Sequence, residues 1–347
     1  MTKIIQVGLG RWGSNWAREV VPSVEGIETV AYVDSAPAAI EKVQADTKAP
    51  AKKFFSSLAD ALKAVECDIV LATLRTEAHF PVVRQALEAG HHVIVEKPFA
   101  STIKEAQELV LLAAEKNRTL MVSQNYRYYP APVLATELIA KKALGELSTV
   151  ALDFRQHGPS RGHNYPEMPD PLLADMSIHH FDLMRLVLGD NAKRVSCRTW
   201  RPGSYFTNDS AGIATIEFTR GTLLSYRGSW VSGGPHTPWA GEWRMDCADG
   251  EVTWTSREGT TVDGDRLEIS RLGEDKPEAQ KLPKLKYIDR AGSLAAMAEA
   301  VKTGVLPPRF PSGADNVNSL ALVAANILSA SRGGDWVEID EVLATSQ

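Results

Sequence analysis

The chemistry available to this sequence is concentrated in one histidine-containing segment. Asp175 and His179 lie four positions apart, and Asp182 follows three positions later. If one helix includes Asp175, all three side chains share a face, because residues three or four apart are neighbours on a helix. A carboxylate placed there orients an imidazole and fixes its tautomer, which is how a base is held near neutral pH. The segment therefore predicts His179 as the acceptor of a hydroxyl proton, with Asp175 orienting it.

Two other interpretations of this segment remain open. Asp175 or Ser177 would act as a helix N-cap, while His179 and His180 pack against other parts of the protein. A metal site is the second alternative, since several ligand types lie close together in the sequence. They are His157, His163, Asp170, Asp175, His179 and His180. No HExxH motif or two-histidine-plus-carboxylate spacing singles out ligands among them, so we predict no metal.

A charged pair follows an apolar stretch in the first half of the chain. Residues 92–96 read as a strand, and the charged pair Glu96 and Lys97, followed by Pro98, stands at its carboxyl end. Ligands of parallel sheets bind at the carboxyl ends of the strands, where a buried strand rarely carries charge without a purpose. The pattern indicates a ligand-binding role for Glu96 and Lys97. The alternative is a strand-end ion pair followed by a proline that stops the strand.

A glycine loop near the N-terminus has the form GxGxxG. Gly8 permits a tight turn, Gly10 lets the backbone approach a pyrophosphate, and Gly13 lets the following helix pack close to the strand. The loop lies between a predicted strand and a predicted helix, whose amino end favours phosphate. These features predict a dinucleotide site. The alternative is an ordinary strand-to-helix turn.

Asp34 bears on the choice of cofactor. It ends the next predicted strand, 21 positions after Gly13, where a dinucleotide-binding fold places an acidic residue. Its carboxylate can accept hydrogen bonds from both ribose hydroxyls of NAD and would repel the 2′-phosphate of NADP. Ser35 follows rather than a basic residue. We therefore expect NAD, with NADP disfavoured, unless Asp34 merely caps the next helix.

The elements that position these residues follow two patterns. Up to about residue 125, β-branched runs alternate with helical segments, which is typical of βαβ units and a parallel sheet. The predicted strands are 4–7, 29–33, 68–73, 92–96 and 119–123. The predicted helices are 15–21, 37–46, 58–65, 78–89 and 103–116.

The second half lacks this alternation. A helix at 131–143, a strand at 147–155 and an apolar helix at 178–188 precede strands at 194–200, 211–218, 223–231, 242–247, 251–255 and 267–270. Helices at 291–303 and 314–331 and a strand near 337 end the chain, and 273–286 reads as a solvated loop. Successive strands with short gaps indicate a mostly antiparallel sheet. We predict a doubly wound parallel-sheet domain over 1–124 and an α+β domain with an open sheet over 125–347.

Composition excludes several classes of protein. The 347 residues carry 38 Lys and Arg against 43 Asp and Glu, a net charge of −5, without a basic stripe for nucleic acid. Three cysteines without CxxC spacing indicate neither a disulfide framework nor a zinc site, and they fit a reducing cytoplasm. Apolar stretches are too short for a signal peptide or a bilayer span, so we expect no membrane association.

Over nearly its whole length the sequence resembles the glucose-fructose oxidoreductase, inositol dehydrogenase and MocA (Gfo/Idh/MocA) family of NAD(P)-dependent oxidoreductases. The resemblance rests on the glycine loop, Thr73 with His79, Glu96-Lys97-Pro98, Asn125-Tyr126-Arg127, Gly145-Glu146-Leu147 and the Asp-x-x-x-His-x-x-Asp segment from Asp175 to Asp182. It implies an N-terminal Rossmann domain, with Lys97 in contact with the substrate hydroxyl and the nicotinamide ribose and Glu96 beside the cofactor. Two departures stand out: Ser177 replaces a usual glycine, where a hydroxyl would alter approach to the substrate, and Thr73-Leu74-Arg75 replaces a Thr-Pro-Asn-like turn.

The glycine loop and the resemblance together give the expected site residues. Those expected to bind cofactor are Gly8, Leu9, Gly10, Arg11, Trp12, Gly13, Asp34, Ser35, Thr73, Leu74, Arg75, His79, Glu96, Lys97 and Asn125. Those expected to bind substrate are Lys97, Arg127, Arg161, His163, Tyr165, Asp175, His179, His180, His236 and Trp239. Several of the latter lie in two loops rich in Gly, Pro and His, 156–171 and 232–241. We expect Trp200, Trp230 and Trp254, within predicted strands, to be core or interface residues.

The functional expectation is an NAD-dependent dehydrogenase that oxidises a secondary hydroxyl of a cyclic polyol, sugar or sugar derivative, or reduces the ketone. Lys97, Asp175 and His179 are its expected catalytic residues. Two alternatives remain: a redox-neutral glycosidase that keeps its NAD bound, and a non-catalytic regulator that senses NAD or a sugar. Retention of the three residues argues against the regulator. The resemblance also implies a homodimer or homotetramer built through an open sheet face, which would otherwise be an exposed apolar patch.

Overall fold

The computed structural model of the chain describes residues 1–158, 167–203, 205–259 and 261–344. The described chain divides into two compact units. The first comprises residues 1–125 and 286–317, and the second comprises residues 126–285 and 318–347. The predicted domains, 1–124 and 125–347, stay a prediction; the first unit combines residues 1–125 with 286–317, which local sequence patterns do not connect.

Within the described residues, the first unit contains a six-stranded parallel sheet. Its strands are β1 (Thr2–Val7), β2 (Ile27–Val33), β3 (Phe54–Phe55), β4 (Ile69–Ala72), β5 (His92–Val95) and β6 (Leu120–Val122), in the order β3-β2-β1-β4-β5-β6. β4 is fully buried, as expected of a strand covered on both faces. The strand order reverses between β1 and β4, where doubly wound folds bind dinucleotides.

Helices connect these strands. They are α1 (Arg11–Asn15), α2 (Val21–Ser23), α3 (Pro37–Thr47), α4 (Leu58–Ala64), α5 (His79–Glu88) and α6 (Ile103–Glu115), with a π-helical turn at Trp16–Val20 between α1 and α2. Short 3₁₀ turns lie at Ala51–Lys53, Thr76–Ala78 and Asn125–Tyr128. Local sequence explains where α4 and α6 begin, because Ser57 and Thr102 accept hydrogen bonds from the backbone amides of Asp60 and Glu105.

The second unit is α+β. In chain order it contains α7 (Pro130–Ala140), β7 (Leu147–Arg155), a π-helical turn (Pro171–Met176), α8 (Ser177–Leu188), β8 (Ala192–Trp200), β9 (Ala211–Phe218), β10 (Leu223–Ser229), β11 (Glu242–Cys247), β12 (Gly250–Thr255), β13 (Arg266–Arg271) and β14 (Glu278–Ala279). The short β14 lies in the tract that was predicted to be a loop. α8 is buried along nearly its whole length.

The chain then returns to the first unit through α9 (Asp289–Thr303) and the start of α10 (Gly313–Ser331). Between these helices, the amide of Val122 in β6 donates to the carbonyl of Pro311 at 3.0 Å, and Met121 bridges Ser312. The returning segment therefore covers the edge of the parallel sheet, which would otherwise expose unpaired backbone groups.

The second unit ends with β15 (Val337–Glu338) and α11 (Ile339–Ala344). Over the described ranges, its nine-stranded sheet has the order β14-β13-β12-β11-β7-β10-β9-β8-β15. β7 and β10 run parallel, and the other neighbouring strands pair in the antiparallel sense. None of the helices in the described part of the chain is long and apolar enough to cross a membrane.

The outward face of this sheet differs from the expected apolar patch. Its side chains form ion pairs across neighbouring strands, and these are Arg227 with Asp153, Arg155 with Glu242 at 2.6 Å, Arg244 with Glu251 at 3.0 Å and Arg194 with Glu217 at 2.6 Å. Ile213 and Leu223 are exposed apolar residues on the same face. The face is polar because strand alternation directs charged residues outward while Val150, Leu152 and Phe154 point into the core.

Candidate active site

The three glycines of the loop meet different steric demands. Gly8 has φ +93°, in the left-handed region that favours glycine. A Cβ on Gly13 would lie 2.0 Å from the carbonyl oxygen of Gly8, so the helix could not approach the loop with a larger residue. A Cβ on Gly10 would meet nothing within 4 Å. The space above Gly10 therefore fits a ligand that approaches the backbone, as a pyrophosphate does.

Two buried polar side chains hold the glycine loop through hydrogen bonds. The Thr73 hydroxyl, at the end of β4, donates to the Gly8 carbonyl at 2.7 Å. The Gln6 amide nitrogen donates to the Gly13 carbonyl at 2.7 Å. Thr73 was expected to bind cofactor, and in the structure its hydroxyl fixes the glycine loop.

Asp34 follows β2 and contacts the same loop. One carboxylate oxygen accepts the Leu9 amide at 2.6 Å, and the other accepts the Ala36 amide at 2.8 Å. Ala36, not Asp34, is the N-cap residue of α3, and Ser35 is exposed. Asp34 therefore couples the end of β2 to the glycine loop, and each of its oxygens can accept a further hydrogen bond.

Glu96 connects the end of β5 to the helix after the glycine loop. Its Oε1 accepts the indole N–H groups of Trp12 at 2.8 Å and Trp16 at 2.7 Å, and its Oε2 accepts the Lys97 amide at 3.2 Å. Glu96 is buried, whereas Trp12 is 45% exposed. Lys97 is half-buried and precedes a cis proline. The lysine therefore follows a carboxylate that is fixed directly to the dinucleotide loop.

The turn after β4 is held by His79. Its fully buried ring contacts the Leu74 carbonyl through Nε2 at 3.1 Å and the Pro98 carbonyl through Nδ1 at 2.8 Å. Burial lowers the pKa of His79, although the two carbonyls oppose this. His79 thus joins the Leu74 turn to the segment after Lys97, while Arg75 is exposed. Leu74 lies against Gly8, where an added Cβ would be 2.9 Å from its side chain.

Asn125, which ends the first part of this unit, bonds within the protein. Its amide nitrogen donates to Asp289 at the start of α9. Asp289 in turn lies beside Arg290, whose guanidinium packs over Trp12. The returning segment 286–317 therefore contributes residues around the glycine loop that the sequence patterns did not indicate.

In the second unit, His179 lies in the first turn of α8 and is nearly buried. Its imidazole stacks on Tyr126, with ring centroids 4.1 Å apart and an angle of 5° between the planes. The Arg257 guanidinium lies 4.5 Å from the Tyr126 ring centre and donates to the Tyr126 hydroxyl at 2.7 Å. Arg257 has φ +65°, an uncommon backbone conformation for a non-glycine residue. Tyr126 and Arg257 thus fix the plane of the imidazole.

Asp175 belongs to the π-helical turn rather than to α8. The sequence interpretation assumed one regular helix over both residues, whereas the π-helical turn ends and α8 begins between Asp175 and His179. π-Helical turns are uncommon and are often found at functional sites.

Asp182 accepts hydrogen bonds from two other elements of the second unit. Its two oxygens accept Nε and Nη2 of Arg127, both at 2.6 Å, and Ser319 donates to the same carboxylate at 3.1 Å. Both charged side chains are almost fully buried. Arg127 was expected to bind substrate, and that role stays a prediction; in the structure its buried bidentate pair with Asp182 joins it to α8.

His180 is fully buried and both of its ring nitrogens are used. Nε2 donates to the Trp239 carbonyl at 2.9 Å, so Nδ1 accepts from the Tyr226 hydroxyl at 3.1 Å. Burial lowers the pKa of His180 to about 4. His180 is thus a buried residue whose lowered pKa favours the neutral form, and its expected contact with the substrate stays a prediction. The Ser177 hydroxyl also points inward, to the Leu172 carbonyl and Tyr226.

The two predicted substrate loops are described in part. Arg161, His163 and Tyr165 lie outside the described residues. His236 is exposed, and Trp239 is half-buried near Phe154 and Trp230. Trp230 and Trp254 are buried as expected, whereas Trp200 is exposed at the end of β8. Across the described ranges, no three His, Cys, Asp or Glu residues form a group suited to a metal ion.

Comparison with known proteins defines the class to which this arrangement belongs. Residues 2–124 match the model of an oxidoreductase family with an NAD-binding Rossmann fold, and residues 133–253 match the GFO/IDH/MocA C-terminal domain. The two models belong to one family and together span most of the chain. The protein therefore belongs to the GFO/IDH/MocA family of oxidoreductases.

Individual relatives agree with this assignment. Protein y4oX of Sinorhizobium fredii is 26% identical over 353 residues, which is 98% of this chain and 96% of that protein. Inositol 2-dehydrogenase of Salmonella typhimurium is 28% identical over 218 residues, 61% of this chain and 60% of that enzyme. The crystal structure of an oxidoreductase from Agrobacterium radiobacter in complex with NAD⁺, L-tartaric acid and magnesium has a TM-score of 0.85 at 20% identity, covering 98% of this chain and 99% of that chain. This last likeness shows the fold.

These findings confirm the predicted fold class, family and cofactor type. The protein is an NAD(P)-dependent oxidoreductase, and its first unit is an NAD-binding Rossmann domain. The open space at Gly10 and the remaining acceptor capacity of Asp34 fit such a cofactor.

Proposed function

We propose that the protein is an NAD-dependent dehydrogenase that oxidises a secondary hydroxyl of a cyclic polyol, sugar or sugar derivative, or reduces the corresponding ketone. The observation that carries this proposal is the link from the glycine loop through Trp12 to Glu96, directly before Lys97. It gives a cationic side chain at the edge of the sheet where the cofactor loop lies. The similarity to inositol 2-dehydrogenase supports a polyhydroxylated substrate.

Each proposed residue has one task. Bound NAD⁺ supplies the hydride acceptor. The Lys97 ammonium binds the reacting oxygen and favours its deprotonation. His179, held in plane by Tyr126, accepts the hydroxyl proton on an imidazole nitrogen, and Asp175 orients His179. His236 and Trp239, with Arg161, His163 and Tyr165, contribute to recognition of the substrate.

Substitution of the proposed catalytic residues tests these roles. His179→Ala and Lys97→Met are each expected to lower kcat by about 10²–10⁴-fold, the usual contribution of a positioned acid or base. His179→Ala should retain NAD binding, as measured by calorimetric titration. Lys104→Met, at an exposed position in α6, is the matched control and should turn over normally. Unimpaired turnover in either catalytic-site variant contradicts the assignment of that residue.

The substrate class is tested by following nicotinamide absorbance with NAD, and then with NADP, across inositols, aldoses, anhydrosugars and glycosides. Reduction of NAD by one of these compounds supports the dehydrogenase and identifies its substrate. Release of free sugar without a net absorbance change would indicate the redox-neutral glycosidase. Tight NAD binding with neither result would indicate a regulator.

The proposed assembly is a homodimer or homotetramer of a cytoplasmic protein. The family supports an oligomer, and three cysteines without disulfide bonds are compatible with a reducing compartment. Light scattering coupled to size-exclusion chromatography measures the molecular mass. A mass corresponding to one chain at micromolar concentration would contradict the oligomer.

A further inference from the structure

Arg290 lies against the side of the glycine loop and has no role in the site described above. It is the second residue of α9, in the segment that returns to the first unit. Its guanidinium carbon lies 4.2 Å from the centre of the Trp12 ring and 5.7 Å from that of Trp16. Arg290 is only 8% exposed. A charged side chain is therefore buried on an aromatic surface next to the cofactor loop.

The hydrogen-bonding capacity of this guanidinium is only partly used. Nε and Nη1 are buried and have no hydrogen-bond partner among the residues that the structure describes. The Asp289 carboxylate is 3.8 Å from Nε, beyond hydrogen-bond distance, and its other oxygen accepts from Asn125. Buried charged donors are costly unless they are satisfied, so the arrangement favours an anionic acceptor supplied from outside the protein.

The nearby carboxylate of Glu96 is already engaged. Trp12 and Trp16 donate to one of its oxygens, and the Lys97 amide donates to the other. These bonds connect Trp12, which follows β1, to the end of β5. The strand order reverses between β1 and β4, at the same end of the sheet. Arg290, stacked on Trp12, therefore lies beside the glycine loop. The anionic group of NAD that adjoins the glycine loop is the diphosphate.

We propose that Arg290 binds the diphosphate of NAD through charge-assisted hydrogen bonds, with Trp12 as the surface that holds the guanidinium in place. Arginine suits this task because its planar, permanently charged fork matches phosphate and stacks on aromatic rings. This inference concerns binding of the cofactor, so it does not depend on the proposed substrate class.

Arg290→Gln tests the proposal through binding alone. Calorimetric titration should show Kd values for NAD and ADP-ribose that are both raised about 10-fold or more, the effect expected from loss of a charge-assisted hydrogen bond. The affinity should also depend less on salt, because one charge contact is missing. Arg84→Gln, at an exposed arginine on α5 in the same unit, is the matched control and should leave both Kd values unchanged.

Comparison of ligands separates the proposed contact from damage to the loop. Adenosine lacks the diphosphate, so its Kd should be the same for Arg290→Gln and the unmodified protein. Arg290→Lys retains the charge but not the planar guanidinium. Its affinity for NAD should lie between that of Arg290→Gln and that of the unmodified protein. Thermal unfolding of all variants monitors the fold, and Arg290→Lys serves as the test if Arg290→Gln unfolds.

Three outcomes would overturn the proposal. Unchanged Kd values for NAD and ADP-ribose would make Arg290 solely a packing residue over Trp12. Weakened NAD binding with normal ADP-ribose binding would place the contact at the nicotinamide instead. Equal weakening of adenosine binding would show that the substitution disturbs the loop as a whole.

Discussion

The carboxylate of Asp34 contributes to the structure of the glycine loop and, through its charge, to the expected choice of cofactor. It fixes the glycine loop through the Leu9 amide and the start of α3 through the Ala36 amide. It also presents negative charge where a dinucleotide-binding fold places the adenosine ribose. We therefore expect that removing the charge changes the cofactor preference and weakens the hold on the loop at the same time.

Cofactor preference can be shifted at this position. Asp34→Ser combined with Ser35→Arg should lower the Kd for NADP about 10-fold or more, because repulsion of the 2′-phosphate is replaced by attraction. The Kd for NAD should rise, because the ribose and loop contacts are weakened. Fluorescence titration with both cofactors measures the change, with Ser35→Arg alone as the control that keeps the repulsive carboxylate. A double variant that retains the original preference would show that Asp34 acts only on the loop.

The buried His180 makes stability depend on pH. Its pKa is lowered from 6.5 to about 4, so the unfolded chain binds a proton more readily than the folded one. Above about pH 6.5, His180 is neutral in both states and does not affect how the free energy of unfolding depends on pH. As the pH falls from 6.5 toward 4, the free energy of unfolding decreases by about 3 kcal/mol in all. In urea unfolding at a series of pH values, His180→Asn should show a shallower fall over this range. Parallel stability curves for both proteins would contradict this assignment.

At the scale of single elements, the glycine loop offers a matched pair of substitutions. Gly13→Ala places a methyl group against the Gly8 carbonyl, so it should lower the free energy of unfolding by about 1–3 kcal/mol. Gly10→Ala meets no protein atom within 4 Å and Gly10 has an ordinary φ of −59°, so its stability should be nearly unchanged.

The two variants should differ in cofactor binding as well. Gly10→Ala should raise the Kd for NAD at least ~10-fold, because the added methyl occupies the space needed for close approach of the pyrophosphate. Thermal unfolding and NAD titration of both variants separate these effects. Normal NAD binding by Gly10→Ala would show that the pyrophosphate does not pack on this residue.

Most elements could be predicted because their patterns are local. The parallel strand β4 is a continuous apolar run buried on both faces, and β7 of the second unit alternates between buried and exposed residues. The two-residue strands β3 and β14 are too short to give such a pattern. The π-helical turn before α8 was also missed, since its sequence continues that of an apolar helix and the extra residue per turn leaves no local mark.

The sequence indicated residues of the candidate site only where they belong to a recognisable motif. Gly8, Gly13 and Glu96 belong to recognisable motifs, but their partners lie far away in sequence. Trp16 is 80 positions from Glu96, and Arg290 is further still from Trp12. No periodicity connects such residues. A weak signal existed for Tyr126, which lies within a segment shared with the family, and none existed for Arg257.

At the scale of the whole molecule, the first unit is discontinuous in sequence. Pro311 and Ser312 pair with β6, and α9 supplies Asp289 and Arg290 beside the glycine loop. A boundary drawn from local patterns cannot detect this return, because the helix at 289–303 resembles any other amphipathic or small-residue helix. We therefore expect residues 1–125 alone to be an incomplete folding unit.

A fragment experiment tests this conclusion. Residues 1–125 alone should be less stable and more prone to aggregation than the same residues joined by a flexible linker to 286–317, because the β6 edge is uncovered. Circular dichroism during thermal unfolding and light scattering compare the two fragments. Equal stability and solubility would show that the returning segment contributes little to the sheet.

The returning segment also has a consequence for synthesis on the ribosome. The glycine loop and its sheet emerge early, but their last partners follow nearly 200 residues later. At a translation speed of about 5–20 residues per second, the β6 edge waits roughly 10–40 s for Pro311 and Ser312. During that interval β6 of the nascent chain has an unpaired edge. The chain is therefore most prone to aggregation before its translation ends.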